Sequence, residues 1–219
     1  MATVAAVYTV EPWVRTAQDI IDALGPVRLH TPEGQRPEPE NKRVWASVLQ
    51  EPDTVIRQSF EEAQSRDPKH TKRWVVLVDG NPHQLRLVKK MAKEFGVRIT
   101  IVVDFIHVTQ YLWKAAKVLE PDDKARKAWV NERLLKVLEG KAGDVAAGIR
   151  RSATRRALEP SVRQPVDECA NYLLKYKAHL RYHQYLDAGL PIATGVIEGA
   201  CRHLVKDRME ITGAKWRLQ

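Results

Sequence analysis

The sequence predicts an α/β protein, with a parallel βαβ unit and a flanking N-terminal strand joined to an all-helical insertion. Three observations carry that expectation. Two short apolar runs, Trp74–Val78 and Val97–Val103, are separated by a segment with helix punctuation. Two buried strands joined by a helix imply a right-handed parallel crossover. From His107 to about Leu190, apolar residues recur at helical spacing and are interrupted by glycines and prolines.

Taken in order, residues 2–10 are small, β-branched or aromatic and read as a strand buried on both faces. Gly25 to Asn41 holds Pro26, Pro32, Gly34, Pro37 and Pro39 among charges and reads as an exposed loop. Asp53 is placed to cap a helix running to about Arg66, with Val55, Ile56, Phe60 and Ala63 on one face. After the apolar strand Trp74–Val78 come Asp79-Gly80, then Asn81 as a cap and Pro82 at the first helical position. Lys89, Lys90 and Lys93 fall late in that helix, where cations suit its dipole, and Gly96 closes it. The second strand ends in Asp104. Ala125, Trp129, Val130, Leu134, Val137 and Leu138 mark a further helix; Gly140, Gly143, Pro160 and Pro165 are expected to interrupt, and Val166–Tyr182 resumes. A last helix is expected from near Thr194 to about Met209. The expected division is residues 1–109 with 191–219 as the α/β core, and 110–190 as the helical insertion.

Composition narrows the function classes. Apolar residues make up 44% of 219, enough for a core, which argues against wholesale disorder. Lys and Arg number 36 against 27 Asp and Glu, a formal charge of +9, and a polyanion such as nucleic acid is the natural partner of such a surface. The two cysteines, Cys169 and Cys201, belong to no CxxC or Cys/His cluster, so a zinc finger and a disulfide framework are excluded. No leader and no run of membrane-spanning length is visible, and a reducing cytoplasm is the expected compartment. No GxGxxG or GxxxxGK[ST] loop follows a strand, which leaves an unrelated nucleotide-binding α/β enzyme without support.

Asp79 and Asp104 end the two apolar strands. The carboxyl ends of strands in open α/β sheets are where ligands bind. Each also has a bland reading: Asp-Gly is a turn pair, and Asp104 can cap a helix with His107 packed beside it. Glu198 falls in the first turn of the expected last helix, where an acid also favours the dipole. Two basic stretches suit phosphate contact or a solvated face. One is Arg150, Arg151, Arg155 and Arg156; the other is Arg202, Lys206 and Arg208, with Lys215 and Arg217 beyond.

Three segments, "VVLVDGNPHQ" (75–84), "ITIVVDFIHVTQYLWKAA" (99–116) and "GLPIATGVIEGACRHLVKDRMEITGAKW" (189–216), resemble those of ISKra-like insertion-sequence transposases. "MATVAAVYTVEPWVRT" and "NKRVWASV" (41–48) are similar to that group as well, so the resemblance spans nearly all of the chain. These are DDE transposases with a ribonuclease-H-like core. The resemblance implies a partial ribonuclease-H-like core here, with Asp79 as the second catalytic acid and Glu198 as the third. Asp104 and His107 match the family's supporting Asp-x-x-His element. It further implies magnesium, two ions held by carboxylates about 3.5–4 Å apart, with manganese able to replace it. The implied partners are transposon-end and target DNA, together with further copies of the chain, and no membrane.

One acid is missing. The opening strand has no Asp or Glu before Glu11, beside Pro12. The resemblance therefore implies a chain truncated at both ends and catalytically incomplete, showing no strand cleavage by itself. The alternative is a noncatalytic DNA-binding or regulatory fragment, which would bind DNA in a salt-dependent way without cutting it.

Overall fold

The computed structural model describes residues 3–24 and 36–193. Along the chain run β1 (Thr3–Thr9), α1 (Ala17–Ala23), β2 (Glu40–Ser47), α2 (Pro52–Arg66), β3 (Trp74–Val78), α3 (Pro82–Glu94) and β4 (Ile99–Val103). There follow α4 (Phe105–Leu119), α5 (Asp123–Leu138), α6 (Ala142–Arg155), α7 (Pro160–Lys175), a single 3-10 turn at Lys177–His179, and α8 (Tyr182–Asp187). The protein is mixed α/β, with two two-stranded sheets among the described residues, β1-β2 and β3-β4. No helix among them is long and apolar enough to cross a membrane. The expected helix 194–209 lies outside the described residues. Two compact units divide the chain. One takes the described residues of Met1–Glu11 and Pro37–Thr100, the other those of Pro12–Arg36 and Ile101–Ala193.

In the first unit β1 pairs antiparallel with β2, Thr3 opposite Ser47, Ala5 opposite Trp45 and Val7 opposite Arg43, with an irregularity between Val7 and Thr9. The expectation of a strand buried on both faces is corrected here. Every residue of β1 is half-buried, because its sheet has two strands and α2 is the helix that packs on it. The strand β2 takes up Glu40 and Asn41 from the expected loop. Helix α2 also packs on α3, and its Val55 and Phe60 are buried, with the Phe60 ring 6.0 Å from Trp74 and 5.6 Å from Phe95. Asp53 does not cap α2. Glu51 holds that place with Pro52 next, and Asp53 lies in the first turn 3.4 Å from Lys90 Nζ. Helix α3 starts as expected: the Asn81 side chain accepts from the His83 and Gln84 N–H groups, and Pro82 is the first residue. It closes at Gly96, with φ +62°, and Val97, expected in the strand, instead donates its N–H to Ala92.

The 67–74 turn of this unit is built around one carboxylate. Asp67 is 4% exposed and accepts from the Trp74 indole, the Thr71 hydroxyl, and the Thr71 and Lys72 N–H groups. Burial pushes its pKa up, but these four donors outweigh burial and hold it well below the usual carboxylate range.

The second unit is a helical assembly. Helix α4 packs on α5 and α7, α6 on α7 and α5, and α1 and α8 each on α5. The expected face of α5 is buried at Trp129, Val130, Leu134, Val137 and Leu138, and α6 contributes Val145, Ala146, Ile149 and Ala153. Each fully buried leucine or valine here stabilises the assembly by about 1.5–3 kcal/mol relative to exposure. Two expected breaks are corrected. Gly143 lies in the first turn of α6, and Pro165 lies inside α7. The carbonyl that Pro165 leaves unpaired belongs to Ser161, an exposed residue whose oxygen water can satisfy.

Two distant segments close this unit. Trp13 donates its N–H to Gly189 and Arg15 its N–H to Leu186, while the Arg15 guanidinium reaches the Leu190 carbonyl. Gly189 has φ +70°, and a Cβ there would stand 2.6 Å from the Trp13 nitrogen, so glycine is required. Tyr182 donates its hydroxyl to the Val103 carbonyl at 2.6 Å and Tyr185 to that of Ile101 at 3.3 Å. Carbonyls two residues apart in a strand point to one edge, so α8 occupies an edge of β4 with side-chain donors.

Candidate functional site

Asp79 follows the last residue of β3 and is exposed. Its Oδ1 accepts the Asn81 N–H at 2.8 Å, and Gly80 has φ +91°, the tight turn that lets the strand feed directly into α3. The turn-forming reading of Asp-Gly is thus realised. The carboxylate nonetheless stands at the surface at the carboxyl end of a strand, where a hard cation or a phosphate-bound metal can reach it.

In the second unit Asp104 follows β4 and is 1% exposed. Its Oδ1 accepts the Ile106 N–H at 3.0 Å, capping α4, and Oδ2 lies 3.4 Å from His107 Nδ1. His107 is 37% exposed in its side chain. A buried carboxylate facing Nδ1 favours the tautomer with the proton there, which leaves the Nε2 lone pair as the acceptor of the ring. The bland reading of Asp-x-x-His is thus the one realised: Asp104 caps α4, with His107 beside it. Asp104 also adds to the raised pKa of Tyr182, whose phenol is pushed well above its ordinary value first by burial and then by Tyr172 and Asp104.

The arginine run divides by partner. Arg150 donates to Asn171 Oδ1 and lies 3.8 Å from Asp167, tying α6 to α7. Arg156 donates to the Leu119 carbonyl and lies 3.3 Å from Glu120, tying the end of α6 to the end of α4. Arg151 and Arg155 are exposed and enter no ion pair among the described residues. A residue that sequence reasoning missed joins them: the Lys177 ammonium lies 3.3 Å from where a Cβ on Gly143 would be. Nothing in sequence spacing signals it, because Lys177 is brought to α6 by the turn after α7.

Glu198, Arg202, Lys206 and Arg208 lie outside the described residues. Among the described residues no three His, Cys, Asp or Glu side chains form a group that could hold a metal. Asp79 is an exposed residue whose Oδ1 accepts from Asn81, whereas Asp104 is buried and engaged with Ile106 and His107, which suits orientation better than direct ligation. Cys169 is buried and its thiol is pushed up to about 12 by that burial, so it is no nucleophile at neutral pH. Compared with known proteins, the chain matches no family model, no curated protein and no solved structure.

Proposed function

We propose that this chain belongs to a DNA transposase of the DDE class with a ribonuclease-H-like core, and that it supplies two of the three metal-holding acids, Asp79 and Glu198. The observation that carries the reading is the placement of Asp79 immediately after β3 in a strand–helix–strand segment, as an exposed carboxylate. In a ribonuclease-H-like sheet the strand bearing the first acid pairs at the centre, and β1 carries no acid. Bound magnesium would polarise the scissile phosphate and activate the attacking oxygen. Asp79 would hold it, and in the other unit Asp104 would fix the His107 ring. With one acid lacking, strand cleavage by this chain alone is not part of the proposal.

Iron-mediated backbone cleavage tests the shared metal site without requiring activity. Ferrous iron substituted for magnesium should cut the chain near residues 79 and 198, with both cuts competed by magnesium and both abolished in Asp79→Asn. Cleavage at neither place, or cuts that survive the substitution, would remove the assignment.

A noncatalytic DNA-binding role is the second reading, favoured by the exposed Arg151 and Arg155 of α6, which enter no ion pair among the described residues. Salt-dependent DNA binding with no iron-directed cleavage would select it.

A further inference from the structure

Resting on the DNA reading above, we propose that one row of α6, formed by Gly143, Ala147, Arg151 and Arg155 with Lys177 over its first turn, is a contact surface for the phosphate backbone of double-stranded DNA. These four positions recur every fourth residue and so lie along one ridge of the helix. The opposite side, Val145, Ala146, Ile149 and Ala153, is packed into the unit, and this ridge faces solvent at Ala147, Arg151 and Arg155.

Charge decides what the ridge is for. A surface arginine held for stability has a carboxylate or carbonyl partner, as Arg150 and Arg156 do. The three cations of the ridge enter no ion pair among the described residues, and the one acid of α6, Asp144, lies on the neighbouring row beside Lys141. Unpaired cations repel one another, and a polyanion relieves that repulsion. From Gly143 to Arg155 the helix rises roughly 18 Å, a length over which duplex DNA presents about ten phosphates. Small residues at 143 and 147 keep the helix surface low between Lys177 and Arg151, so a phosphate backbone can lie against it. The run Arg150-Arg151 with Arg155-Arg156 therefore splits into two functions. Arg150 and Arg156 brace α6, and Arg151 and Arg155 meet phosphate.

Binding of the full chain to a short random-sequence duplex, measured by fluorescence anisotropy across a salt series, tests the split. Removing a cation that meets one phosphate lowers the slope of log affinity against log salt by about 0.9. The variant Lys177→Gln/Arg151→Gln/Arg155→Gln should bind with a slope lower by about 2.7, with no change in sequence preference. The variant Arg150→Gln/Arg156→Gln, compared below its own melting temperature, should melt lower and keep the wild-type slope. An unchanged slope in the folded triple variant, an equal reduction in the bracing variant, or no duplex binding at low salt would each overturn the proposal. Duplex binding with the predicted slopes but no iron-directed cleavage at residue 79 would sustain this surface while removing the metal-site reading.

Discussion

Removing the Tyr182 hydroxyl is the sharpest test of how the helical unit is held. In Tyr182→Phe the ring remains in its buried place, edge-on to Phe105 at 5.6 Å, and the hydrogen bond to Val103 disappears. The net worth of such a bond is about 0.5–1.5 kcal/mol, but a buried carbonyl left unpaired costs about 1–3 kcal/mol. Tyr182 is fully buried, so water cannot replace the donor, and the higher range applies. Tyr185→Phe removes a longer bond, 3.3 Å, from a residue that is 5% exposed, and should cost less. For a unit of roughly 100 residues, each kcal/mol lowers the melting temperature by about 4–8 °C. Urea unfolding followed by circular dichroism should therefore rank wild type above Tyr185→Phe and Tyr185→Phe above Tyr182→Phe. The phenol also has a pH signature. Its folded pKa is raised above 10.0, so below pH 10 it is neutral in both states and its contribution is intact. Above that the unfolded chain ionises while the native one does not, and stability falls with rising pH. Tyr182→Phe should lose that part of the alkaline decline. Equal stability of Tyr182→Phe and wild type at neutral pH would refute the clamp.

Two further outcomes follow from the same reasoning. Gly189→Ala should destabilise more than Gly96→Ala in thermal unfolding. Both sit at positive φ, where a Cβ costs about 1–2 kcal/mol, but at Gly96 it meets nothing within 4 Å, whereas at Gly189 it meets the Trp13 backbone. Asp67→Asn should weaken the first unit at neutral pH and flatten its acid dependence. The carboxylate is held below its ordinary range, so its contribution is present above about pH 4 and is lost as pH falls toward the folded pKa, which pH-dependent urea unfolding would read.

The parts of the fold legible in the sequence were those written in local chemistry. Asn81-Pro82 and Gly96 bracket α3 because a cap, a preset φ and a left-handed closure are each properties of single residues. The α5 face was legible because burial on one side imposes a helical period. What failed depended on partners distant in sequence. Pro165 reads as a break unless one knows that Ser161, whose carbonyl it leaves without an N–H donor, is exposed. The strand β2 alternates only weakly and is held by its pairing with β1, more than thirty residues earlier. The candidate site shows the same contrast. Asp79 and Asp104 were legible as strand-end acids, whereas the separation of bracing from unpaired arginines needed the positions of Asn171, Asp167 and Glu120.

The tie between Trp13, Arg15 and the 186–190 segment bears on how this protein can be dissected. A helical piece cut at residues 110–190 would look self-sufficient, yet it would present the carbonyls of Gly189 and Leu190 stripped of their partners, and that of Leu186 left with the Gly189 N–H alone. Such a piece should melt below the intact chain, and adding a peptide spanning residues 12–24 in trans should recover part of the difference. The helices form a box whose latch is supplied from outside their own run of sequence, by residues 13–15 between β1 and α1.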